Sequence, residues 1–439
     1  MPIVADISIV FGRRIKMRRS ALCLCLFAFG LFNSLPAFGQ QKPVVVTRHP
    51  AAVDSSFFSS LNMKQKHMAF NKLSASTNAA AQKQDPRIVS VPNFTRSFTF
   101  GGQTFPYTMV GQDPTKARAT EVPTQYIPLS FFFDEFIDQN GNNIVIDTTA
   151  ITDEIKHSPL FDSAPFANGF TQYEDAQMRA EFFPLFHNKS HDGDGDGDDS
   201  FHVVLGDPQT LLPVQIEVPV GSSEVFVDTN GTFFALIDIN FIVSQLNTLL
   251  QTEPITVQSI PIFLTRNAVY GDFVQQQPAD CCIGGFHTAF ETNQLNNKIL
   301  VQTFAFSTSL DSDVSAALFG DPTIFADIFA LSHELGELLN DPFVNNVTPN
   351  YQLPGLPPGA CQNNLEVGDL IENLPNPSRP LTLHGFTYHP QTLGLLQWFE
   401  GINPSDAFSG DYSFPDPTVL TVKGGTAPFT PCPPPAPAH

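Results

Sequence analysis

The stretch D-P-T-I-F-A-D-I-F-A-L-S-H-E-L-G-E-L-L-N-D-P, residues 321–342, constrains this chain more than any other. Its apolar residues fall on most sides of a helical wheel, so the spacing predicts a helix buried along much of its length. Asp321 reads as the N-cap, Pro322 as the first helical residue and Asp341-Pro342 as the stop near Asn340. Into that apolar run the sequence sets Asp327, His333, Glu334 and Glu337. A buried charge without a partner is expensive, so these groups need polar partners or a cation.

His333 and Glu337 are four residues apart and share one helix face. This spacing presents two metal ligands from one helix, with Glu334 turned aside as a general base. The common form of the motif is HExxH; here Glu337 stands where the second His would be. A His/Glu/Glu set nearly neutralises a dication and activates water less than three His do. Zinc is the expected metal, and the donor set also suits calcium or manganese. The third ligand is expected from the acidic segment 365–372, with Glu366 first and Asp369 second. Asp341 reads equally as a further ligand or as a C-terminal turn residue. His384 and His389, five apart in H-G-F-T-Y-H, are alternative ligands on a loop. A buried hydrogen-bond network without metal stays open as the competing reading.

The residues Ser332-His333-Glu334-Leu335-Gly336-Glu337, followed by Asn340-Asp341-Pro342-Phe343-Val344-Asn345, carry a resemblance. They resemble H-E-L-A-E…N-P-x-V-N in plant EXORDIUM-like secreted proteins and H-E-x-x-E…D-P in related bacterial exported proteins. Glu366-Val367-Gly368-Asp369 is similar to the E-I-x-D segment of that family. Cys282-Ile283-Gly284-Gly285-Phe286-His287 is similar to its C-G-F-H element, with one extra residue. The similarity covers roughly residues 265–375. It implies a zincin-like metal site and supports Glu366 as third ligand. It also makes His287 a candidate substrate contact or transition-state donor, against the reading of a surface or packing His.

The N-terminus addresses the compartment. Arg13, Arg14, Lys16, Arg18 and Arg19 precede an apolar run over residues 21–32 and then Pro36-Ala37-Phe38-Gly39. Basic, apolar, then small predicts a secretory signal peptide over residues 1–40, with Met17 as an alternative start. The apolar run is shorter than the about 20 residues a bilayer span needs. A secreted, extracellular or periplasmic destination follows, with no membrane association after signal removal. The whole chain has 22 Lys+Arg and 43 Asp+Glu; the leader takes five and one of these, leaving 17 and 42, a net charge near −25. Such a surface repels nucleic acid and anionic membranes.

Cys23 and Cys25 leave with the signal, so Cys281, Cys282, Cys361 and Cys432 remain for up to two disulfides. A bond between neighbours is strained, so Cys281 and Cys282 are expected to reach outward to Cys361 and Cys432. A further acidic feature is H-D-G-D-G-D-G-D-D at 191–199. Asp192, Asp194, Asp196 and Gly197, with Asp198 after them, match the first half of a D-x-D-x-D-G calcium loop. Position twelve is Val203 instead of Glu, so a solvated acidic insertion is the other reading.

Residues 41–93 read as a linker or pro-segment, 94–230 as a β-rich region, 231–430 as a zincin-like metal-binding domain and 431–439 as a Pro-rich tail. Gly101-Gly102 reads as the turn of a hairpin. A strand at 233–239, a helix at 241–250 and a strand at 255–264 read as a βαβ crossover. The fold class expected is α+β, a mixed sheet packed on the residue 321–340 helix. The function expected is a secreted metal-dependent hydrolase acting on peptide or protein. A wall- or matrix-associated binding protein with a structural metal is the alternative.

Overall fold

The computed structural model describes residues 47–53, 58, 62–63, 83–116, 118–187, 201–291, 297–421 and 429–433. The leader at 1–40, most of segment 41–93, the Asp192, Asp194, Asp196 and Asp198 loop and residues 434–439 of the tail lie outside them.

The described chain is α+β. β1 (Asn93–Phe100) and β2 (Gln103–Val110) form the expected hairpin, turning on Gly101 and Gly102 at φ of 58° and 84°. Only glycine holds such angles without strain. The long strand β3 (Thr124–Ile137) follows, then helix α1 (Tyr173–Glu181), whose nine residues are all buried. Next come β4 (Ser223–Val227), β5 (Phe233–Asp238) and α2 (Ile239–Thr252), with Asp238 capping α2 by accepting from the Asn240 amide. β6 (Ile260–Arg266), β7 (Ala268–Gly271), β8 (Gly285–Glu291) and β9 (Ile299–Ser309) lead to the helix α3 (Phe329–Asn340). A hairpin of β10 (Val347–Gln352) and β11 (Cys361–Asn364) and the short helix α4 (Asp369–Glu372) complete the set used below.

The main sheet has β3, β6, β9 and β8 in that order. β3, β6 and β9 are parallel, and β8 pairs with β9 antiparallel. Alternation along the strands sends Tyr126, Ile262, Leu264 and Ala305 to one side, into a core with Leu331, Leu335, Leu338 and Leu339 of α3. Ile127, Phe263, Phe304 and Phe306 go to the other side, against Ile242, Leu246 and Leu249 of α2. A parallel sheet is stable when both faces are covered, and here one helix serves each face. Each buried Leu of α3 contributes about 1.5–3 kcal/mol by leaving water. The sheet draws β3 from before residue 230 and β6, β8 and β9 from after it.

Three expectations are corrected. The site helix starts at Phe329, not at Asp321-Pro322. Phe325 and Asp327 sit at φ of 56° and 41°, which no helix interior tolerates, and the Leu310 amide donates to the Phe325 carbonyl at 2.8 Å. Pairing with the end of β9 has overridden local helix propensity. Asp321 instead closes a turn, accepting from the Thr323 amide at 2.8 Å. Secondly, β5 and β6 do not share a sheet: β5 pairs with β4 and β7, while β6 joins the main sheet. Helix α2 therefore links two sheets, and the chain passes between them again at Asn267, where φ is 47°. Thirdly, Cys281 bonds Cys282, and Cys361 bonds Cys432. β10 explains the second pair: Gln352 lies across from Cys361, while neighbouring Tyr351 bridges to Pro431. No helix among the described residues is long and apolar enough to cross a membrane.

Candidate metal centre

Helix α3 lies over β9 and β8, with Gly285 leaving room on the β8 side and Gly336 leaving room for Leu393. A Cβ at Gly285 of β8 would stand 2.9 Å from Glu334 Cγ, and one at Gly336 of the helix would stand 2.2 Å from Leu393 Cδ1. At this close approach His333, Glu334 and Glu337 meet side chains from two other elements. β8 supplies His287, which lies opposite Ala305 of β9. The turn into α4 supplies Glu366, and α4 itself supplies Asp369 and Glu372. His287, Glu334, Glu337, Glu366 and Asp369 are buried, and His333 is 9% exposed.

The contacts are close. His333 Nε2 is 3.2 Å from Glu337 Oε1 and 3.7 Å from Asp369 Oδ1. His287 Nδ1 is 3.5 Å from Glu334 Oε2 and also from Glu337 Oε2. His287 Nε2 is 3.8 Å from Glu366 Oε2, and neither atom has a hydrogen-bond partner among the described residues. A buried nitrogen and a buried carboxylate oxygen facing each other unbonded fit a cation between them. Three groups have ligand atoms within 4.8 Å of one another and could hold a metal ion: His287, Glu337 and Glu366; His333, Glu334 and Glu337; and His333, Asp369 and Glu372.

Other polar groups hold these side chains in place. His333 Nδ1 lies 3.0 Å from Gln391 Oε1, and Gln391 Nε2 donates to the Gly368 carbonyl at 2.7 Å. Glu337 Oε1 accepts from the Gly368 and Asp369 amides at 3.1 and 3.2 Å. Asn364 donates to Glu366 Oε1 and Gln362 to Asp369 Oδ2.

Comparison with protein-family models, curated proteins and solved structures finds no match. The geometry therefore carries the reading of this site.

Electrostatics follows from burial and crowding. Burial draws the His287 pKa down, but Glu366, Glu334 and Glu337 outweigh it and raise it well above the ordinary value. His333 behaves alike, with burial outweighed by Glu337, Glu334 and Asp369. Burial raises Glu334, and it raises Glu366 further with help from Glu337. Burial also acts on Glu337, yet His333 and His287 hold its carboxyl well below the usual range.

The structure thus brings together His333, Glu334, Glu337, Glu366, Asp369 and His287. Among the described residues, Asp341, His384 and His389 belong to no ligand group, although Asp341 lies in electrostatic reach of His287 and Glu337. Asp341 accepts from the Asn345 and Asn346 amides, the turn role that was one of its two readings. His384 meets Asp162 at 3.0 Å, and His389 meets Asp327 at 2.7 Å. Sequence reasoning missed Gln391, Glu372 and Glu174. Asp369 and Glu372 are three apart on one short helix, a spacing that could have flagged Glu372. Gln391 carries no sequence signal. Glu174 is wholly buried on α1 with no hydrogen bond to either oxygen among the described residues, and burial raises its pKa well above the ordinary value. Its Oε2 lies 3.2 Å from where a Cβ at Gly336 would stand.

Proposed function

We propose that this chain is an exported metal-dependent hydrolase of zincin-like type, acting on peptide or protein. The observation that supports it best is the buried face of α3. His333, Glu334 and Glu337 converge there with His287 and Glu366 from two other elements. His333 and Glu337 from the helix, with Glu366 and Asp369 from the turn beyond, are the residues that would hold the cation, and His287 joins them as a ligand. A dication there supplies Lewis acidity, polarising a carbonyl and making water a stronger acid.

The chain's own groups have distinct tasks in this reading. Glu334 takes the proton of the attacking water, because burial gives its carboxylate a raised affinity for protons. His287, 3.5 Å from Glu334, orients that carboxylate. Gln391 fixes the His333 ring. The two disulfides suit an oxidising compartment, in keeping with the leader sequence.

A second reading is favoured by burial: ligands this enclosed suit a structural cation in a binding protein. One experiment separates the two. The mature chain and Glu334→Gln are analysed for bound metal and assayed on a denatured protein. The hydrolase reading expects metal in both and cleavage reduced about 100-fold or more in the variant. Metal without cleavage in either form leaves only the structural cation. Absence of metal from both forms removes both readings.

A further inference from the structure

The ligand groups around α3 contain two triads with no residue in common. One is His287, Glu337 and Glu366; the other is His333, Asp369 and Glu372. Each has one imidazole and two carboxylates, and each keeps its ligand atoms within 4.8 Å of one another. We propose that this is a paired centre which binds two divalent cations side by side, one in each triad, with Glu337 between them. This rests on the metal-site reading above and extends it from one ion to two.

Glu337 is placed to link the triads. Its Oε1 is 3.2 Å from His333 Nε2 and its Oε2 is 3.5 Å from His287 Nδ1, so the two oxygens of one carboxylate face different imidazoles. Two-metal hydrolytic sites set their ions about 3.5–4 Å apart, a spacing that a carboxylate spans.

Each triad has its own supporting observation. In the first, His287 Nε2 and Glu366 Oε2 are buried and find no hydrogen-bond partner among the described residues, although 3.8 Å apart. In the second, Gln391 Oε1 faces His333 Nδ1 at 3.0 Å, and His333 Nε2 faces Asp369 Oδ1 at 3.7 Å. A metal-binding His is usually held in this way through its other nitrogen. Asn364 donates to Glu366 Oε1 while Glu366 Oε2 faces His287, and Gln362 donates to Asp369 Oδ2 while Asp369 Oδ1 faces His333.

Charge points the same way. The ligand groups contain five carboxylates: Glu334, Glu337, Glu366, Asp369 and Glu372. One dication in the first triad would leave Asp369 and Glu372 with only His333 as a counter-charge among the ligand groups. Two dications neutralise the two carboxylates of each triad, and Glu334 remains outside both as the single extra base.

The test is a cation count on the full mature chain. Metal-free protein is saturated with Mn(II), desalted and measured by native mass spectrometry and elemental analysis. Wild type should carry two Mn(II) per chain, and His287→Gln and His333→Gln one each. The electron paramagnetic resonance spectrum of loaded wild type should show two interacting Mn(II) ions. Each variant should show an isolated ion. Circular dichroism checks that the variants are folded, and Glu372→Gln, on the partly exposed side, provides a milder variant expected to lose one ion. A single Mn(II) in saturated wild type overturns the pair. So do two Mn(II) that persist when both His are replaced, or two that do not interact. One ion with protein cleavage would remove the pair and keep the hydrolase. Two ions without cleavage would keep the pair and remove the hydrolase.

Discussion

His333 Nδ1 stands 3.0 Å from Gln391 Oε1, across 58 residues of sequence. The Gln391 amide nitrogen already donates to the Gly368 carbonyl, so its oxygen is the atom left to face the ring. With a cation bound, the imidazole would keep a proton on Nδ1 for Gln391 and turn Nε2 to the cation beside Glu337 and Asp369. A glutamine with no charge and no ligand role thus selects the tautomer that can bind a cation.

Gln391→Ala should weaken divalent cation binding by about 10–100-fold while all ligands remain. Competition against a chelator of known affinity measures it. A change of less than about twofold would show that His333 needs no such partner.

Gly336→Ala should destabilise the protein, against the ordinary trend in which Ala in a helix interior gains about 1 kcal/mol over Gly. A Cβ there would lie 2.2 Å from Leu393 Cδ1 and 3.2 Å from Glu174 Oε2. The expected loss is about 1–3 kcal/mol by urea denaturation. Leu393→Ala, itself a cavity-forming change, should couple with it, making the double variant less damaged than the two losses added. Simple additivity would mean that Leu393 does not set the fit.

Stability should fall as pH rises where Glu181 titrates. Burial is the main cause that pushes its carboxyl from 4.5 up to about 8. The unfolded chain releases this proton near the ordinary value, and the folded chain keeps it until about 8. The contribution is therefore fully present below pH 4.5 and is lost as pH rises through the folded value. While only the folded form holds the proton, the slope is at most about 1.4 kcal/mol per pH unit. Glu181→Gln should flatten the wild-type decline between pH 5 and 7.5 in paired denaturation curves. Parallel curves would refute the assignment.

Replacing Cys361 and Cys432 together by Ser should lower stability by about 2–4 kcal/mol, because their bond closes a loop of 71 residues in the unfolded chain. The number of bound cations should not change, since neither cysteine belongs to a ligand group. Loss of cation binding in a folded double variant would show that the bond also shapes the site.

The clustering of His333, Glu334 and Glu337 was legible because four-residue spacing on a helix is a local property. Glu366 and Asp369 were legible as an acidic segment some thirty residues on, with a resemblance in support of Glu366, and the hairpin through its glycine pair. The start of the helix was not, since Asp321-Pro322 is a sound local start signal and the competing pairing of Phe325 with Leu310 comes from elsewhere in the chain. Asn267 similarly decides which sheet each strand joins, and its left-handed φ leaves no mark in strand periodicity. His287 was visible as a residue of interest, but its place beside Glu337 depends on strand register. Gln391 and Glu174 act through contacts 58 and 162 residues away from His333 and Gly336, beyond any motif.

The glycines against α3 have one more consequence. Gly285 and Gly368 press on Glu334 and His333, where an added Cβ would come within 2.9 and 2.6 Å. The helix therefore sits tightly against both, and any side chain larger than hydrogen at either glycine would push on the cluster. Evolution or engineering toward a cation of another size would meet less resistance by exchanging Glu for Asp at the candidate ligand positions, shortening one arm at a time, than by shifting the helix.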